Sequence, residues 1–121
     1  MKTATVTINN RQYMLVYNLA VMIQMEEAGI VLEQMSSDPK KITHLTQMMV
    51  FAINQGAAYA AASHLGDYPA TTLAEFSAQC EPADFNKFDA VLADLIVGDR
   101  QVDAAPPKSA GAAEAAAAPG N

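Results

Sequence analysis

The chain opens on an alternation of apolar and polar positions. Thr3-Ala4-Thr5-Val6-Thr7-Ile8 and Gln12-Tyr13-Met14-Leu15-Val16-Tyr17 both follow it, separated by Asn9, Asn10 and Arg11. A period of two is the strand signal, and asparagine accepts the positive φ that tight hairpin turns require. A two-residue turn at Asn9-Asn10 pairs Ile8 with Arg11, Val6 with Tyr13 and Ala4 with Leu15. Paired residues share a face. One face then carries Ala4, Val6, Ile8, Tyr13, Leu15 and Tyr17, and the other Thr3, Thr5, Thr7, Gln12, Met14 and Val16. A four-residue turn preserves this sorting, whereas a three-residue turn destroys it. A lone hairpin is barely stable in water, so its apolar face is expected to pack on a helix.

After Tyr17 the period changes to helical. Asn18 is a good N-cap and Gly29 a good stop, predicting a helix over Leu19–Ala28 with Leu19, Met22, Ile23 and Glu26 on one stripe. Ile30 to Met35 reads either as a turn of helix or as an extended connector. Asp38 as cap and Pro39 at the first helical position start a second helix, which runs to about Leu65 and stops at Gly66. This helix has two apolar stripes. The first holds Ile42, Leu45, Met49, Ala52, Ile53 and Gly56; the second holds Met48, Phe51, Gln55, Tyr59 and Ala62. A helix with two stripes is central in its fold or faces a partner as well as a core. The small residues from Gly56 to Ala62 permit close helix approach.

Gly66-Asp67-Tyr68-Pro69 reads as a turn, and Thr72 with Glu75 fits a capping box for a short helix near Leu73 to Cys80. Pro82 starts the last helix, expected to end near Val97 with Gly98 as its stop and Phe85, Phe88, Val91, Leu92, Leu95 and Ile96 as its stripe. From Asp99 the chain turns to Ala, Pro and Gly, and no large apolar residue follows Val102. Such a segment cannot bury enough to offset the entropy of ordering it. The expected fold is mainly α with an N-terminal β-hairpin: one domain over residues 1–98, then a disordered Ala/Pro-rich tail over 99–121.

Composition narrows the function. The net charge is -6, and the Lys and Arg residues are scattered, with only Lys40-Lys41 adjacent. Nucleic acid and anionic membranes need a basic footprint, so neither is an expected partner. Cys80 is the single cysteine, which rules out an internal disulfide and fits a reducing compartment. No apolar leader follows Met1-Lys2-Thr3, and the longest strongly apolar run, Met48 to Ile53, is far too short to span a membrane.

Candidate chemistry is sparse. His44 and His64 are the only histidines and lie twenty apart with no second cysteine, which falls short of a zinc ligand set. They are expected on partly exposed sides of the second helix. Cys80 has no activating neighbour, and Glu81 beside it raises a thiol's pKa. Glu26 and Glu27 are adjacent and so point to different sides of a helix, unlike a paired acid and base. No glycine-rich phosphate loop is present. The reading is therefore a non-enzymatic protein without metal or cofactor. Met14, Met22, Met25, Met35, Met48 and Met49 crowd the first half of the chain. Methionine fills irregular gaps in cores and also adapts to varied partners. Met48, Phe51, Tyr59, Met22 and Met25 are the candidate partner-binding residues.

The opening Thr5-Val6-Thr7-Ile8-Asn9-Asn10-Arg11-Gln12-Tyr13-Met14-Leu15-Val16-Tyr17, followed by Asn18 to Gly29 with its Glu26-Glu27, resembles the start of tail assembly chaperones of long-tailed, siphovirus-like bacteriophages. That family often opens with a hairpin of this form, then a helix ending in Glu-Glu and a nearby Gly. The resemblance covers about residues 3–29; Asn9-Asn10 stands where Gly is common, and Ala-Gly directly follows the Glu pair. It implies a protein that coats the aggregation-prone tape measure protein, helps recruit tail tube subunits, works in the host cytoplasm, self-associates and is absent from the finished virion. It also places the tail after Gly98 where a frameshifted longer product diverges. Other readings are a helical structural virion protein of the head–tail completion type and a small protein-binding adaptor. The second stripe of the second helix is the expected client surface, so Met48→Asp or Phe51→Asp is expected to abolish client binding with the fold largely intact.

Overall fold

A computed structural model describes the backbone of residues 2–104 and the side chains of residues 2–98. The elements are β1 (Thr3–Ile8), β2 (Arg11–Val16), α1 (Leu19–Glu27), a 3-10 turn (Leu32–Ser37), α2 (Lys41–Ala62), α3 (Leu73–Gln79) and α4 (Pro82–Ala104). The fold class is therefore mainly helical with an N-terminal antiparallel hairpin.

The hairpin has the expected register throughout, from Ile8 opposite Arg11 to Thr3 opposite Val16. Asn9 and Asn10 both take positive φ, 50° and 63°, the requirement of a type I′ turn. Val6, Ile8, Tyr13 and Leu15 are buried in the main core. The opposite face departs from expectation at one end: Met14 and Val16 are buried too, while Thr5, Thr7 and Gln12 stay exposed.

The reason lies at the outer edge of β2. The pair beside a two-residue turn is hydrogen-bonded and pairs alternate from there. Met14, opposite Thr5, is thus a non-hydrogen-bonded position whose carbonyl points away from β1. Gly56 of α2 sits against that carbonyl so closely that a Cβ there would lie 1.9 Å from Met14 O and 2.5 Å from Met14 C. The small-residue segment does allow close approach, but to a strand rather than a helix. It also covers a strand edge that would otherwise invite pairing.

On the other edge, Thr7 is likewise an outward position, and its carbonyl accepts a hydrogen bond from Lys87 Nζ at 3.3 Å. Lys87 reaches Thr7 while Asp94 pairs with Lys2 at 3.5 Å, so α4 runs antiparallel to β1. Between hairpin, α3 and α4, the rings of Tyr13, Phe76 and Phe88 meet edge-to-face at centroid distances of 6.4, 6.0 and 5.1 Å. Such pairs add about 0.5–1.5 kcal/mol each beyond area burial. Asn54 of α2 holds the returning chain, donating to Thr71 O and accepting from Thr71 N.

Helix ends follow cap chemistry, with three corrections. Asn18 Oδ1 accepts from Val21 N, and Gly29 (φ 77°) ends α1 in a Schellman motif with Ile30 N donating to Met25 O. The start of α2 is later than expected. Asp38 does not cap it directly; Asp38-Pro39-Lys40-Lys41 forms a turn closed by Lys41 N donating to Asp38 O, and the helix begins at Lys41. Its end is earlier, because His64 (φ 57°) takes the left-handed position and Leu65 N donates to Ala60 O. Gly98 is not a stop. Its φ is not positive, and α4 continues past the expected end near Val97 to Ala104. The rest of the expected tail, 105–121, lies outside the described residues.

Gly56→Ala is expected to destabilise the fold by about 3 kcal/mol or more, since backbone must move to admit the methyl. Gly98→Ala meets only the flexible end of Lys2 and is expected to be neutral or mildly stabilising. Urea unfolding of both variants checks this contrast.

Candidate functional site

α1 is apolar on nearly every side: Leu-Ala-Val-Met-Ile-Gln-Met precedes its two glutamates. Its periodicity therefore does not say which side faces inward. The tertiary structure decides. Asn18 Nδ2 donates to Gln55 Oε1 at 3.5 Å, tying the start of α1 to the second stripe of α2. Met48 lies seven residues before Gln55 on that stripe, so this is the side of α2 that α1 covers. Val21 and Met25 turn inward and are buried. Leu19, Met22 and Ile23 turn outward and are 69%, 45% and 47% exposed. The stripe read from the sequence exists, but it faces solvent.

The candidate partner-binding residues consequently divide. Met48 and Met25 are 2% and 5% exposed and belong to the core. Phe51 and Tyr59 are half-buried, with Phe51 packed against the core cluster. Met22 alone among the five stands open on the surface. The expectation that Met48→Asp leaves the fold intact is corrected by this burial: an unpaired carboxylate there has no water and no partner.

A second apolar feature lies between the N-terminal turns of α2 and α4 and the whole of α3. It is a cleft of about 450 Å³ lined by Ile42, Thr46, Leu73, Phe76, Cys80 and Phe85, among others. Phe76 and Thr46 are buried in its floor, while Ile42 and Leu73 stand at 63% and 36% exposure. Thr46 donates its hydroxyl to Ile42 O at 2.7 Å, and the exposed Thr43 and Ser77 also line the cleft. Sequence reasoning placed Ile42 on the core stripe and missed the cleft. The available signal was two large apolar residues in the first turns of their helices, Ile42 and Leu73.

Asp38 and His44 are joined at the start of α2. Asp38 Oδ1 accepts from Lys40 N at 2.8 Å, and its Oδ2 accepts from His44 Nδ1. The His44 hydrogen bond, then that of Lys40 N, holds the Asp38 carboxyl below its ordinary pKa. His44 is half-buried, whereas His64 is exposed at the end of α2. The Cys80 thiol is pushed up, first by burial and second by the charge of Asp84; Glu81, the expected cause, is not one. Glu26 and Glu27 are both exposed. Among the described residues, no three His, Cys, Asp or Glu side chains gather in a metal-holding group, and no helix is long and apolar enough to cross a membrane.

Two outcomes follow. Met48→Asp is expected to cost several kcal/mol, of order 3–5, while Met22→Asp leaves the urea midpoint nearly unchanged. The depressed Asp38 pKa gives stability that is complete above the unfolded value of about 3.9 and is lost as pH falls through the folded value. The difference in urea midpoint between the native protein and Asp38→Asn is therefore expected to be largest at neutral pH and to shrink toward pH ~3. A constant difference would contradict this role for the carboxylate.

In comparisons with known proteins, no family model, no curated protein and no solved structure matches this chain.

Proposed function

We propose that this protein is a non-enzymatic assembly chaperone of the kind long-tailed bacteriophages use, holding the tape measure protein in the host cytoplasm and helping bring tail tube subunits to it. The observation that carries the reading is the open apolar face of α1. It lies within residues 3–29, the same segment that resembles the family. Leu19, Met22 and Ile23 follow helical spacing, the arrangement that meets the apolar stripe of a client helix. Methionine at the centre suits a client whose side chains vary along its length.

Magnitudes set how such a protein works. Fully burying a large aliphatic side chain is worth about 1.5–3 kcal/mol. The three residues are roughly half exposed, so covering them is worth about 3 kcal/mol per copy. That does not offset the cost of association for one copy. A client coated along its length by many copies gains avidity that a single contact lacks. The net charge of -6 on each copy then gives the coated client a repulsive, hydrated exterior.

Co-expression with a tape measure protein tests the reading. The native chain is expected to keep the client soluble and to co-purify with it. The triple variant Leu19→Asp, Met22→Asp, Ile23→Asp is expected to lose the client while keeping its thermal midpoint within a few degrees. Undiminished capture by that variant would overturn the assignment of α1. Stoichiometric presence of the protein in purified virions would favour a structural role instead.

A further inference from the structure

The outward row of α1 changes chemistry along its length. The exposed positions of this helix are Leu19, Met22, Ile23, Glu26 and Glu27, while Val21 and Met25 are buried. Steps of three and four residues stack on one face of a helix. Glu26 and Glu27 therefore continue the row begun by Leu19, Met22 and Ile23 instead of turning away from it. The row is apolar at its start and acidic in its last turn.

Helix chemistry disfavours that acidic end. The C-terminal end of a helix is the negative pole of the macrodipole and favours cations, yet the last turn of α1 holds no basic residue. Among the described residues the ion pairs are Lys2 with Asp94 and His44 with Asp38, so neither glutamate is neutralised. Gly29, just past the helix, lines one hollow with Asp38 and His44. Lys40 and Lys41 stand exposed at that start of α2, and neither forms an ion pair with Glu26 or Glu27. Departures from local rules concentrate at functional sites.

We propose that α1 docks an amphipathic helix of its client in one direction. The client's apolar side chains cover Leu19, Met22 and Ile23, and lysine or arginine one turn beyond them meets Glu26 and Glu27. This polarity rests on α1 being the client face, and adds to it the client's charge and orientation. A second copy does not supply the cation: no Lys or Arg occurs from residue 12 to residue 39, and each copy has a net charge of -6. Two α1 faces would leave every glutamate of both unpaired, and like charges brought together lower affinity. Residues 105–121 offer one lysine, Lys108, and no large apolar side chain.

Two synthetic amphipathic helical peptides test the proposal. They share one leucine stripe, which ends in lysines in one and in glutamates in the other. A single contact of this size is weak, so binding to the isotopically labelled full chain is followed by amide chemical shifts up to millimolar peptide. The lysine peptide is expected to shift the amides of α1 and to bind at least about tenfold tighter than the glutamate peptide. The preference should shrink as salt is raised from about 0.05 to 0.5 M. A spin label at the lysine end should broaden the amides nearest Glu27, and one at the other end those nearest Leu19. Glu26→Gln with Glu27→Gln should equalise the two peptides, and Glu26→Lys with Glu27→Lys should reverse their order. Both positions are exposed, and lysine suits the last turn of a helix. Both variants should therefore melt at or just above the native midpoint.

Equal binding of the two peptides on α1, or a label that broadens both ends of α1 alike, would overturn the proposal and leave the client face standing. A tape measure protein that fails to co-purify, with the lysine peptide still preferred on α1, would instead remove the client's identity and support its chemistry. Binding of neither peptide, or shifts centred off α1, would overturn the proposal whatever the co-expression result. So would self-association relieved by Leu19→Ser with Met22→Ser, which assigns the face to a second copy. Amides of α1 that move on Lys108→Glu in the free chain assign the face to the chain's own tail and overturn it as well.

Discussion

The structure depends on one contact between two backbones, Gly56 of α2 against the Met14 carbonyl of β2. Any side chain at residue 56 would hold the helix away from the strand. Because none is present, α2 lies down on the outer edge of the hairpin and seals it. Met14 and Val16, on the face that alternation assigns to solvent, become buried as a consequence. A two-stranded hairpin has little stability of its own; here it gains a floor from α2 and a flank from α4, and the rings of Tyr13, Phe76 and Phe88 join it to the later helices.

With α2 seated in this way, its remaining surfaces have defined neighbours. The side bearing Met48 and Gln55 receives α1. Asn54 binds the backbone at Thr71 and sets the approach to α3. The helix is thus central, as its two apolar stripes imply, and its second stripe is used inside the molecule. Apolar side chains stand open on α1, at the first turns of α2 and α3, and singly at Val31, Leu65 and Val97.

Much of this was legible in the sequence because local chemistry decides it. The hairpin register followed from alternation and two asparagines, and α1 and α3 began at their Asn18 and Thr72 caps. The errors arose where tertiary contacts decide. Gly98 looked like a stop, but a glycine ends a helix only when it turns left-handed, and α4 gives it no occasion to. His64 took the left-handed position that Gly66 was expected to mark. For α1, an almost uniformly apolar helix has no readable inward side. Leu19, Met22 and Ile23 were grouped correctly, while Met25 and Met48 were placed with candidate partner residues although packing takes them inward. The cleft was missed because it joins the start of α2 to the sequence-distant α3 and start of α4, a contact that no local pattern sets.

The central claim is that the outward face of α1 meets an apolar client. Site-specific photocrosslinking at residue 22 measures this most directly, using a benzophenone side chain in the full protein co-expressed with a tape measure protein. The account predicts a covalent adduct with that client from residue 22 and none from residue 5, whose side chain lies on the polar face of the hairpin. Adducts from residue 5 with none from residue 22 would contradict it.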